Sequence, residues 1–160
     1  MYPCTYKWNS APVASRVMRD MVQRLQGEVS KLPQYEPTTK HYIHGGLYVR
    51  EVWRDAGVLV VGKVHKKEHV YVIVSGTVRI TTDHGVQELT GPHVLKCLPG
   101  TKRAVLSMTD ALCMTIHATN AETVDEAELE LVEEDPDSMY DAGNKVKPGV
   151  LKHSPVEVLS

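Results

Sequence analysis

The chain of 160 residues carries a formal net charge of −2, is 42% hydrophobic and contains no Phe, the composition of a globular domain with an aliphatic core. No apolar run approaches the roughly 18 residues of a membrane span, and an acidic stretch free of Lys and Arg between Ala104 and Asn144 leaves no broad basic face for general nucleic-acid binding. Three widely spaced cysteines, Cys4, Cys97 and Cys113, make neither a metal finger nor a disulfide framework.

The opening Met1-Tyr2-Pro3-Cys4 lacks the basic and apolar regions of a signal peptide, so reduced thiols and a cytoplasmic location are expected. Ser10 reads as a helix N-cap with Pro12 in the first turn. Val13, Val17, Met21 and Leu25 recur every four residues, flanked by Ala14, Met18 and Val29. That apolar stripe predicts an amphipathic helix that must pack on its own domain or on a partner subunit.

A Pro-bounded linker, Leu32-Pro33 to Pro37, leads into a series of short β-branched runs. The pattern predicts strands at His41 to His44, Leu47 to Arg54, Val58 to Val61, Val70 to Val74, Thr77 to Thr82, Val86 to Leu89, Val94 to Leu98, Ala104 to Met108 and Ala111 to Ala118. In the second of these, Leu47, Val49, Val52 and Trp53 form the apolar set, against Tyr48, Arg50, Glu51 and Arg54. Strands this short, spaced by Gly and Asp turns, argue for an all-β sandwich or barrel. Thr123-Val124-Asp125-Glu126 matches a capping box and predicts an acidic helix through about Glu133. A loosely ordered tail is expected beyond Asp135-Pro136. The expected organisation is thus an N-terminal segment and helix (1–37), a barrel (38–120), and an acidic helix with its tail (121–160).

The stretch from Gly57 to Gly76 places Lys63-Val64-His65 and His69 between two apolar strands. Its spacing resembles the first motif of the cupin superfamily: Gly, five residues, His-x-His, three or four residues, Glu, six residues, Gly. Lys63 falls on the first His, His65 on the second and His69 on the Glu. Pro99-Gly100-Thr101-Lys102-Arg103 resembles the second motif, with Arg103 at its His and Pro99 displaced by one position. The resemblance implies a cupin-type jelly-roll β-barrel and, as is common among cupins, a homodimer or higher homo-oligomer. Lys40-His41-Tyr42, Gly46 to Glu51, Gly62 to His69, Pro99 to Arg103 and Thr115-Ile116-His117 are together similar to small cupin-like proteins of tailed-bacteriophage genomes. That likeness implies a viral protein acting in bacterial cytoplasm and supplies no reaction.

Three functions follow as expectations. Some cupins replace the acidic ligand with a third histidine. His65, His69 and His117 would then hold one divalent transition metal, iron, zinc, nickel or manganese, as in an oxygenase or metal hydrolase. For this His117 must face inward together with Cys113 and Thr115, leaving Met114 and Ile116 outside. Alternatively Lys63, His65, His69 and Arg103, supplemented by Arg50 and Lys102, make a cationic pocket for a phosphate- or nucleotide-containing small molecule. Tyr71 alternates with His69 and is expected to line that cavity. In the third reading the barrel is a scaffold whose helix and acidic tail bind another protein. Cys97 and Cys113 are expected to be inert core thiols, and Lys66, Lys67 and Glu68 a solvated loop.

Overall fold

The computed structural model describes residues 12–152; Ser10, expected as a helix cap, lies outside them. Nine strands follow one helix: β1 (Thr38–His44), β2 (Leu47–Arg54), β3 (Leu59–Val61), β4 (His69–Ser75), β5 (Thr77–Thr82), β6 (Gly85–Thr90), β7 (His93–Cys97), β8 (Ala104–Ser107) and β9 (Ala111–Ala118), with α1 (Arg16–Val29) before them and α2 (Val124–Leu131) after. Five strands form one sheet in the order β1-β2-β9-β4-β7, and four form a second in the order β3-β8-β5-β6. All strand pairs are antiparallel. Apart from the β1–β2 and β5–β6 hairpins, chain neighbours are split between sheets, and β4 and β9 meet in the first while β5 and β8 meet in the second. This is the jelly-roll architecture.

Alternation along each strand sends one face inward. From β4 come His69, Tyr71 and Ile73; from β5, Val78 and Ile80; from β9, Cys113, Thr115 and His117. Ile73, Val78, Ile80, Val105, Ala111 and Cys113 fill an apolar cluster that also includes Tyr71 and Cys97. His65, His69 and His117 are buried in the same interior.

In β2 the inward set is Tyr48, Arg50, Val52 and Arg54, with Leu47 and Trp53 exposed. This corrects the expected apolar set. Period-two alternation is obeyed without a slip, and the inward positions carry polar groups because this part of the barrel is not an apolar core.

The helix also differs from expectation. It begins at Arg16, capped by Ser15, whose hydroxyl accepts from the Met18 amide. Ala14 N–H donates to the Pro99 carbonyl, and Ser15 N–H to Asp83, which pins the chain just before the helix. Its buried residues are Val22, Gln26 and Val29, with Met18 and Leu25 packed beside them. Val17 is 71% exposed and Met21 50%. The cause is geometric: each step of four residues advances about 40° around a helix of 3.6 residues per turn. A strict every-fourth stripe therefore walks off the contact face, whereas Met18, Val22, Leu25 and Val29 alternate steps of four and three and stay on it.

α2 has the expected cap, with Thr123 accepting from the Glu126 amide. The Glu126 carboxylate accepts from Glu122 N–H. The helix stops at Leu131 because Val132 is extended and bridges to His65. Beyond it, the segment expected to be loose packs onto the barrel through 152: Met139, Tyr140 and Val146 are buried with Val22, Val60 and Val61. Tyr140 also donates its hydroxyl proton to the Tyr35 carbonyl at 2.6 Å.

Gly76 makes the turn between β4 and β5 with φ of 85°. A Cβ there would overlap the Asp110 carbonyl oxygen and lie 2.8 Å from Ala111 Cα. The left-handed backbone alone costs an L-residue about 1–2 kcal/mol, and overpacking adds to it. A Gly76→Ala variant is expected to lose about 2 kcal/mol or more in urea unfolding. A loss well under 1 kcal/mol would mean that the β8–β9 turn yields freely.

Candidate metal and anion site

Three segments converge on the barrel interior. β4 begins with His69, and the register Val70↔Ile116 places it beside His117 of β9. β2 pairs on the far side of β9, with Tyr48↔His117 and Arg50↔Thr115. His65 lies on no named strand. Its amide donates to the Thr101 carbonyl at 2.9 Å, its carbonyl accepts from Gly100, and it bridges Val132 on the other side. The stretch carrying His65 is thus held between the Pro99–Arg103 turn and the chain leaving α2.

The three imidazoles are buried and mutually stacked, with ring centroids 4.3 Å apart for His65–His69, 4.5 Å for His69–His117 and 5.0 Å for His65–His117. One ligand nitrogen from each lies within 4.8 Å of the others. His65 Nδ1 and His117 Nε2 are 2.9 Å apart and share one proton. His69 Nδ1 lies 3.0 Å from the Lys67 carbonyl, which can only accept. Nδ1 therefore carries the hydrogen and Nε2 is the lone-pair nitrogen. The His117 Nδ1 is buried without a partner.

Burial is the main reason these groups stay neutral. It lowers His69 to about 4 and His117 to about 3, and holds His65 well below its ordinary value. Arg50 and Arg103 push all three the same way, while the Lys67 carbonyl partly opposes the shift at His69. Neutral imidazoles offer lone pairs at neutral pH, the state a metal requires.

Arg103 sits against this cluster. Its Nη2 lies 3.2 Å from His69 Nε2 and 2.9 Å from Cys97 Sγ, and its Cζ lies 4.5 Å from the Tyr71 ring centroid. Cys97 is therefore a buried acceptor for a guanidinium, a role beyond the inert filler expected of it. Tyr71 lines the cavity, and burial pushes its hydroxyl up to about 12. Arg50 is present too, its Nη1 3.0 Å from Glu128.

Two expected contributors are placed differently. Lys63 is half-buried and lines an adjoining cavity of about 30 Å³ that Arg50, His65, Glu128 and Asp141 also line. Lys102 is turned away from the histidines: its ammonium donates to Gln26 at 2.7 Å and to Asp135 at 3.0 Å. The alternation places its neighbour Arg103 inward and commits Lys102 to the helix side. Lys66, Lys67 and Glu68 are exposed as expected.

Arg54 and Glu128 escape a sequence reading. Arg54 is buried and donates to the Tyr71 hydroxyl at 3.3 Å. The one signal for it was the strict period of β2, which puts residues 48, 50, 52 and 54 on one face. Glu128 reaches Arg50 from α2, 78 residues away, and no local pattern reveals that.

The fold and the buried histidines define a jelly-roll protein with a metal-competent interior. The solved structures of similar fold include cupin-superfamily proteins. KdgF from a Halomonas species has a TM-score of 0.47 at 13% identity, covering 54% of this chain and 82% of its own. A cupin-superfamily protein of Desulfitobacterium hafniense DCB-2 has 0.47 at 14%, covering 56% and 83%. The DMSP lyase DddQ of Ruegeria pomeroyi DSS-3 has 0.47 at 16%, covering 55% and 49%. No family model and no curated protein matches the chain. Function has to come from the chain's own residues.

Proposed function

We propose that the barrel interior is a small-molecule site in which His65, His69 and His117 hold one divalent transition metal and the adjoining cations receive an anionic ligand. The observation that carries this is the set of three buried, neutral imidazoles with ligand nitrogens within 4.8 Å of one another. Nitrogens bound to one ion at about 2.0–2.1 Å stand roughly 3.3 Å apart, so the spacing is on the right scale. The His69 Nδ1–Lys67 carbonyl bond supplies the outer contact that fixes the tautomer of a liganding His. A metal bound by three protein groups with a position open supplies Lewis acidity and a more acidic bound water. The chain's own residues exclude bulk water, orient the imidazoles and place Arg103 beside the reacting position. An oxygenase or a hydrolase would both use such a centre.

A metal-free anion pocket is the second reading, and one contact favours it: Arg103 Nη2 occupies the His69 Nε2 lone pair that a metal would need. In either case the ligand is anionic, entering by a phosphate or carboxylate end that an Arg fork can meet. The motif resemblance supports a phage-type protein of the bacterial cytoplasm, and the exposed Val17 and Met21 support a homodimer or a partner on α1.

Elemental analysis of protein purified without a metal-binding tag tests the first reading. About one iron, zinc, nickel or manganese per chain is expected, lost from a His65→Ala/His69→Ala double variant. No metal after reconstitution with any of the four removes the metal reading and leaves the anion pocket.

A further inference from the structure

Arg54 sits inside the barrel in an environment that its own chain does not neutralise. It is 8% exposed, its Nη1 donates to the Tyr71 hydroxyl, and its Nε is buried with no hydrogen-bond partner. No carboxylate forms an ion pair with it among the described residues, nor with Arg103, which is 7% exposed. The two guanidiniums share a cavity of about 40 Å³ with Arg50, and no Asp or Glu lines it. Glu128 answers Arg50 alone. Water can satisfy a lone N–H, but buried charges are otherwise found paired, so two positive charges in this cavity lack an anion.

We infer that this cavity is a carboxylate subsite, in which Arg54 and Arg103 take the acid group of a small organic acid. Size and shape select the group. One water needs about 10–15 Å³ by this measure, so the space holds roughly three non-hydrogen atoms. That is the planar carboxylate, which a guanidinium meets with two parallel N–H donors; a tetrahedral phosphate is larger. The remaining walls are Val52, Val60, Val105 and Cys113, with Thr115 and Asn144 adding polar atoms. Tyr71 joins the two arginines: its ring lies under Arg103 and its oxygen accepts from Arg54. His65 also lines the cavity, so an acid seated there has its other end at the histidine cluster.

The inference rests on the ligand reading above for the barrel being a binding site, but it does not need the metal. The test uses full-length protein freed of metal by chelator, with acetate and glycolate titrated against phosphate at constant ionic strength. Thermal melting is the readout. Both carboxylates are expected to raise Tm in a saturable manner and phosphate to do less. The apparent Kd for acetate should rise at least tenfold in Arg54→Met and stay unchanged in a Lys96→Met control. If Arg54→Met does not fold, Arg54→Lys keeps the charge without the fork and must weaken acetate at least tenfold. No saturable rise in wild type, an equal response in the Arg54 variant, or phosphate acting as strongly as acetate overturns the assignment. Metal content measured on untreated samples separates the two ideas. Metal without carboxylate binding sinks this inference alone, and carboxylate binding without metal sinks the metal centre alone.

Discussion

Replacing Asp135 by Asn is expected to destabilise the fold by about 1–3 kcal/mol, the cost of leaving a buried charged donor without its charged partner. The Lys102 side chain is 0% exposed, and its ammonium has two oxygen partners, Gln26 Oε1 and Asp135 Oδ2. Gln26 is itself buried and donates its amide to the same carboxylate oxygen at 3.1 Å. Burial works to raise the Asp135 carboxyl, but hydrogen bonds from Lys102 and Gln26 outweigh it and hold the group below its ordinary range. Asparagine keeps the shape and removes the charge, leaving a buried ammonium against a neutral amide. A Lys102→Met/Asp135→Leu double variant removes both charges and should recover most of the loss, because well-packed apolar residues replace buried ion pairs at little net cost. Urea unfolding of the three proteins checks both statements. If Asp135→Asn loses under 1 kcal/mol, the carboxylate is not what compensates the lysine.

Acidification should unfold metal-free protein well above the carboxylate range. All three cluster histidines titrate lower in the folded chain than the ordinary value near 6.5, His69 at about 4 and His117 at about 3. The unfolded chain therefore binds more protons than the native chain between those limits. The stability these groups contribute is fully present above pH 6.5 and is lost progressively as pH falls toward 3–4. At pH 5 the linkage amounts to about 2 kcal/mol for each of His69 and His117, about 4 kcal/mol for the two, close to the whole stability of a marginal domain, and His65 acts in the same direction. The lowered carboxyls of Glu36, Glu130 and Asp135 act in the same direction but only below about pH 4.5, so between pH 6.5 and 4.5 the loss belongs to the histidines. Denaturant titrations at pH 7, 6 and 5 should show falling stability, with a shallower slope in His117→Asn. Constant stability from pH 7 to 5 would mean that the cluster takes up protons without opening.

The strands were legible because β-branched runs, Gly turns and short polar interruptions set their limits within one residue, except that β1 begins at Thr38, three residues before the expected His41. His65 and His69 could be singled out because their spacing matches the motif that the Gly57–Gly76 stretch resembles. His117 was harder: Met114 and Ile116 compete for the inward face by hydrophobicity, yet the structure buries Cys113, Thr115 and His117. The inward face at that end of β9 meets His69, Arg50 and Tyr48 rather than aliphatic core, so polarity there is matched across strands. Arg54 was misread because Val52-Trp53 looked like one apolar pair. Lys102 was misplaced for a different reason: Gln26 and Asp135 lie 76 and 33 residues away, and only tertiary structure brings them to it. Exposure of Val17 and Met21 follows from helix pitch and could have been worked out beforehand.

His65 is gripped from two sides, by the Pro99–Arg103 turn and by Val132 after α2. Every strand among the described residues is complete at residue 118, yet the backbone that holds one of the three histidines on its second side arrives only with residues 131–133. Seen in the order of synthesis, the barrel can close before its interior is finished. The extension that looks like an appendage on the chain map is the last wall of the site, and a domain boundary drawn at residue 120 would cut through it.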